Sequence, residues 1–162
     1  MKKICILISK LWVVLLILSS CATTKTLPEQ VTEDSKVMEV PENKALVYIY
    51  RTSKLGSAIG LKIACNETEL TKLYPENFYV CILDPGQYNF VGYGENKNKI
   101  SLMLEGNEKY FIEAIPRMGF FIARCKLSLT NKAEGSAQIQ NCQLVGINPE
   151  AQKALNYTFS QE

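Results

Sequence analysis

From Ala45 onward the apolar positions fall into short runs separated by turn residues, and most of the runs alternate with polar positions. Ala45-Leu46-Val47-Tyr48-Ile49-Tyr50-Arg51 is rich in β-branched and aromatic residues, the composition of a strand. Ile59, Leu61, Ile63 and Cys65 alternate with Gly60, Lys62 and Ala64, which predicts a strand with one buried face. Asn66-Glu67-Thr68 turns into residues 69–73, and residues 78–83 are apolar on both faces, as in a central strand. Asp84-Pro85-Gly86 predicts a turn, because proline presets φ and glycine accepts a positive one. Residues 87–93 resume with Tyr88 and Phe90 on one face, and Ile100, Leu102 and Leu104 alternate before the turn 105–108 and the run 109–115. Residues 121–130 set Ala123, Cys125, Leu127 and Leu129 on one face, and after turn-like 131–136 the run 137–145 closes the set. Eight or nine strands at spacings of about 10 residues predict an all-β sandwich or small barrel, not a βαβ fold. Only residues 149–155 read as helical, with Asn148 as N-cap and Pro149 at the first position.

The N-terminal pattern is different. Lys2, Lys3 and Lys10 precede an unbroken apolar run, Leu11 to Leu18, that ends in Ser19-Ser20-Cys21, the layout of a secretory signal. Ser9 and Lys10 leave too few apolar residues to cross a hydrocarbon core of about 30 Å. Leu18-Ser19-Ser20-Cys21 closely resembles the lipobox of bacterial lipoproteins. The resemblance implies that Cys21 is acylated and becomes the mature N-terminus, which puts the chain in the cell envelope, anchored to a membrane. Ala22, in place of an aspartate after the cysteine, resembles lipoproteins delivered to the outer membrane, facing the periplasm. Residues 22–44 are polar and carry Pro28 and Pro41, and they read as a flexible tether spanning roughly 25–30 Å. The expected organisation is a signal over 1–20, a lipidated N-terminus and tether over 21–44, a sandwich over 45–147 and a C-terminal extension over 148–162.

Composition narrows the chemistry. Removal of 20 residues from 162 takes away three of eighteen basic residues, leaving 15 against 16 acidic ones. The basic precursor charge therefore belongs to the signal, and nothing argues for nucleic acid. Histidine is absent, which removes the usual neutral-pH base, the Ser-His and Cys-His pairs and the commonest metal ligand. Cys5 leaves with the signal and Cys21 is assigned to lipid, so Cys65, Cys81, Cys125 and Cys142 remain. An even number in an extracytoplasmic domain predicts up to two disulfides, Cys125–Cys142 and Cys65–Cys81, with free core thiols as the alternative. No CxxC is present, and neither a metal nor a cofactor is expected.

Tyr48-Ile49-Tyr50-Arg51-Thr52-Ser53, a following glycine-bearing loop, Leu83-Asp84-Pro85-Gly86-Gln87-Tyr88, Met118-Gly119-Phe120 and a late Arg124 form an ordered set. It resembles a family of bacterial envelope domains of unknown function, many of them lipoproteins. The resemblance covers about Ala45 to Gly146, departing at Thr52 and Cys125, where proline is usual. It implies a prealbumin-like sandwich akin to PEGA and transthyretin-like domains, and it brings no catalytic residues.

The candidate contact residues are Arg51, Arg117, Met118, Phe120 and Arg124. Arg51 and Arg124 end or interrupt apolar runs, where a guanidinium either clamps a partner's carboxylate or phosphate or serves the fold, by pairing with Asp84 or a glutamate or by capping backbone carbonyls. The segment Arg117-Met118-Gly119-Phe120-Phe121, apolar bulk beside a glycine in a loop between strands, is either a contact surface or a lid over one end of the core. The expected function is a non-catalytic, membrane-anchored envelope module, one that binds a protein or glycan or supports an envelope complex. The alternative is a hydrolase of envelope glycan or peptide built on two carboxylates.

Overall fold

The computed structural model describes residues 26–155. Nine strands among them, β1 Ala45–Arg51, β2 Leu61–Cys65, β3 Thr68–Leu73, β4 Asn77–Leu83, β5 Gly86–Tyr93, β6 Lys97–Leu104, β7 Glu108–Arg117, β8 Arg124–Thr130 and β9 Gln143–Ile147, make two sheets. The orders are β8-β7-β1-β4-β9 and β3-β2-β5-β6, so the chain is a β-sandwich, as its alternation predicts. Three helices accompany them, α1 Glu29–Val37, α2 Lys132–Ile139 and α3 Pro149–Ala154.

The central strand β1 is buried at every residue because both of its faces are covered. Ala45, Val47 and Ile49 point between the sheets, where they meet Ile63, Phe90 and Leu127. Leu46, Tyr48 and Tyr50 point to the outer face of the five-stranded sheet, which the helices cover. There the Tyr48 and Phe111 rings stack at 5.0 Å. The molecule therefore has three layers, helices on sheet on sheet. Strand β1 runs antiparallel to β4, from Ala45↔Leu83 to Arg51↔Asn77, and parallel to β7, from Ala45↔Glu108 to Tyr50↔Glu113.

Two segments depart from expectation. From Leu27 on, the expected tether packs against the domain. The Leu27 N–H donates to the Leu144 carbonyl at 2.9 Å, Thr32 and Ser35 of α1 are buried, and the Tyr48 hydroxyl donates to the Ser35 carbonyl at 2.8 Å. The segment 131–139 is likewise a helix where the pattern predicts turn and strand, with the Asn131 side chain accepting from the Glu134 N–H. Gly135 lets α2 lie directly on the Phe111 ring, since any β-carbon there would overlap it. The last strand is confined to β9.

The cysteine pairings are also corrected. Cys65, Cys81, Cys125 and Cys142 are all free and buried. Cys125 lies in the core between the sheets and Cys142 on the opposite face of the five-stranded sheet, so the sheet itself separates them. Cys65 and Cys81 share the inter-sheet core but sit on facing sheets. Stacked sheets lie about 10 Å apart, beyond the ~7 Å Cα separation that a disulfide tolerates. Burial pushes the Cys65, Cys125 and Cys142 thiols up to about 11, which leaves them unreactive near neutrality.

Candidate functional site

The β7–β8 hairpin carries an apolar tip that the core does not absorb. Arg117 and Arg124 face each other across its neck. Between them Met118, Phe120 and Phe121 are 80%, 82% and 85% exposed, and Ile122 is half-exposed. The two phenyl rings meet edge to face at 4.6 Å. Four large apolar side chains in the open do not seal the core as a lid would, because a lid is buried against what it covers.

The tip is held in place. Glu95, in the β5–β6 turn, accepts the Phe120 N–H at 2.6 Å and the Phe121 N–H at 3.3 Å. Partial desolvation raises the Glu95 carboxyl, but the N–H groups of Phe120, Phe121 and Ile122 and the nearby Arg124 outweigh it, so its pKa lies below the ordinary carboxylate value. Gly119 is required by this arrangement, since a β-carbon would collide with the Ile122 carbonyl and the Glu95 carboxylate. Below the tip, the Asn96 side chain both donates to the Cys125 carbonyl and accepts its N–H. Asn98 accepts the Leu127 N–H at 2.7 Å. These side chains join the edges of the two sheets and fix the root of the hairpin.

Arg51 belongs to the same end of the sandwich in another role. It is fully buried, and its guanidinium donates to the carbonyls of Ser53, Ile59, Leu73, Leu55 and Gly56 at 2.6–3.2 Å. Every donor is used inside the protein, so Arg51 is corrected from a contact residue to the organiser of the β1–β2 loop. That loop forms the second wall of a hollow of about 220 Å³, with Leu55 and Ile59 facing Met118, Phe121 and Ile122.

Four of the five predicted contact residues therefore come together, Arg117, Met118, Phe120 and Arg124. Sequence reasoning places Phe121 at the end of the loop from Arg117 without counting it among the contact residues, assigns Ile122 to a strand, and misses Glu95 and Leu55. The run Phe120-Phe121-Ile122 beside Gly119 was the available signal, since consecutive apolar residues next to a glycine break strand alternation.

A second hollow of about 480 Å³ lies under α2, where Glu76 is the carboxylate among residues that include Thr52, Asn141 and Cys142. Glu76 pairs with Lys54 at 2.9 Å. Among the described residues no three His, Cys, Asp or Glu side chains gather as a metal site, and no helix is long and apolar enough to cross a membrane. The predicted lipidation residue, Cys21, lies outside the described residues, as does the signal.

No family model matches the chain. It is 25% identical over 128 residues to an uncharacterized protein of Haemophilus influenzae, covering 78% of this chain and 76% of that one. Among solved structures it is similar to the N-terminal domain of AlgF from P. aeruginosa, at 18% identity and a TM-score of 0.40, over 57% of this chain and all of that one.

Proposed function

We propose that this chain is a lipid-anchored protein of the bacterial envelope whose sandwich is a non-catalytic module presenting the 118–122 tip for contact. The observation that carries the reading is the tip itself, apolar, exposed and held by Glu95. Exposed apolar patches mark interaction surfaces, and the backbone bonds to Glu95 pre-order this one, which lowers the entropy lost on binding. The anchoring half rests on the positive, apolar and small-residue pattern ending at Cys21. The resemblance to envelope domains of unknown function agrees with it.

A hydrolase is the weaker reading. Two-carboxylate hydrolysis needs paired acids about 5–9.5 Å apart in a cleft. The hollow under α2 offers Glu76, whose charge is engaged by Lys54.

Replacing Cys21 with serine and fractionating cells tests the anchor. The expected result is a fall in membrane-bound protein with accumulation of unacylated chain, read by mass spectrometry of the N-terminus. Unchanged membrane association of the Cys21→Ser protein overturns the reading.

A further inference from the structure

We infer that the 118–122 tip inserts into an anionic phospholipid surface, so that the domain lies end-on against the bilayer to which Cys21 attaches it; this deepens the anchoring reading and rests on it.

The first argument is where the chain enters the domain. Helix α1 starts beside Leu144, which is level with Phe78 and Tyr50 in the sheet. It finishes near Lys109, whose Nζ donates to the Met38 carbonyl and which is level with Leu46. Residues before Leu27 therefore join the sandwich at the end where β1 and β7 finish, the end that carries the tip. Arg117 lies four residues beyond Glu113, the β7 residue level with Tyr50. At about 3.3 Å per residue the tip's neck stands roughly 13 Å beyond that level. Leu27 is six positions beyond Cys21, a reach of at most about 20 Å. An acyl group on Cys21 thus keeps this end within reach of the headgroups, and the β7–β8 hairpin extends beyond the level at which the chain enters.

The second argument is charge. Lys54, Lys62, Lys72, Lys97, Arg117, Arg124 and Lys126 fall toward this end of the strands, against Glu69, Glu76, Glu95 and Glu113, the last of which accepts the Thr52 hydroxyl. Two of those carboxylates already pair with Lys62 and Lys54, and Glu95 is occupied by backbone N–H groups. Lys62 and Lys97 flank the Tyr93 ring at 4.7 and 5.5 Å, which puts an aromatic rim among the cations. The opposite end is mixed: Glu42, Asp84, Glu105 and Glu108 stand there with Lys44, Lys109 and Lys132, and Asp84 and Glu108 pair with Lys44 and Lys132. An apolar tip rooted between Arg117 and Arg124, with Lys97 just past the turn that holds it, matches acyl chains below a layer of phosphate. The rings enter the boundary, and the guanidinium forks of Arg117 and Arg124 meet lipid phosphates.

The test uses the acylated full-length protein, purified from membranes and reconstituted into vesicles. The one tryptophan of the chain, Trp12, leaves with the signal, so Phe121→Trp gives the mature acylated protein a single indole, at the tip. Vesicles contain either phosphatidylglycerol with phosphatidylethanolamine or phosphatidylcholine alone, with bromine on the upper acyl chains. The expected result is a blue shift and quenching of the tip indole in the anionic vesicles and less of both in phosphatidylcholine. Adding Arg117→Gln and Arg124→Gln together should abolish that difference. A control indole from Leu129→Trp, at the far end of β8, stays unquenched. An unchanged thermal midpoint shows that each variant folds, as expected for side chains already in solvent. If Cys21 carries no acyl group, the anchoring reading fails and this inference fails with it. If Cys21 is acylated but the tip indole is neither shifted nor quenched, insertion alone is overturned, and the tip is left to a protein partner. Equal quenching of the tip and control indoles also overturns it, because the domain then has no preferred end.

Discussion

Arg51 shows how one side chain can set the shape of a surface it never reaches. Its five carbonyl acceptors come from the β1–β2 loop and from the end of β3, so the loop that backs the apolar tip closes around a buried cation. Burial lowers the Arg51 pKa from the ordinary arginine value, yet the charge is held by carbonyl dipoles alone. Lysine keeps the charge but has a single nitrogen in place of the planar fork. Arg51→Lys is therefore expected to leave several carbonyls unpaired and to cost about 3 kcal/mol, measured by urea unfolding. It should also disturb the amide resonances of Leu55 and Gly56 more than those of β4. The role was legible in the sequence as an alternative, an arginine at the end of an apolar run, but the residue type does not say whether its partners are inside or outside. Only the fold brings Ile59 and Leu73 to it.

At the scale of elements, the strands were readable because a half-buried sheet writes its two faces as alternation, and β4 read as central because both of its faces are apolar. Helix α1 was not readable. Its buried residues are Thr32 and Ser35, so no apolar stripe marks the covered face, and its first residue follows Pro28, which also suits a linker. Helix α2 was missed for a related reason, since Lys132-Ala133-Glu134-Gly135-Ser136 has the glycine and polar content of a turn. The glycine is there to approach Phe111, a contact that sequence cannot display. The short helix α3 was readable because its cap is local: Asn148 accepts the Ala151 N–H at 2.9 Å. The same side chain also accepts the Ile82 N–H at 3.0 Å and donates to the Ile82 carbonyl at 2.7 Å, so it ties the helix to β4. Asn148→Ala should cost about 2 kcal/mol, more than the ~1 kcal/mol of an ordinary cap, because it also leaves the Ile82 backbone groups unpaired. Thermal unfolding monitored by circular dichroism checks this.

The whole molecule carries its buried acids in neutral form, which fixes how it responds to alkali. Burial pushes the Cys65, Cys125 and Cys142 thiols up to about 11 from 9.0, and Tyr50 up to about 12 from 10.0. Raised acids favour the protonated, folded form, so the stability they add is fully present below the unfolded values and is lost as pH rises through the folded ones. The thermal midpoint should hold near neutrality and fall between about pH 9 and 11. A midpoint that is flat across that window contradicts this burial, and Ellman titration should find the thiols only after unfolding. The placement of β1 has a further consequence, in time. Ala45 and its parallel partner Glu108 are 63 residues apart in the chain, and β4 is flanked on its other side by β9, further on still. The five-stranded sheet thus cannot close until nearly all of the chain is present, and such non-local pairing folds in milliseconds to seconds. For that interval the run Ala45–Arg51, β-branched, aromatic and almost without charge, stands unpaired, and the sequence most suited to the centre of the sheet is the one most prone to join another copy of itself.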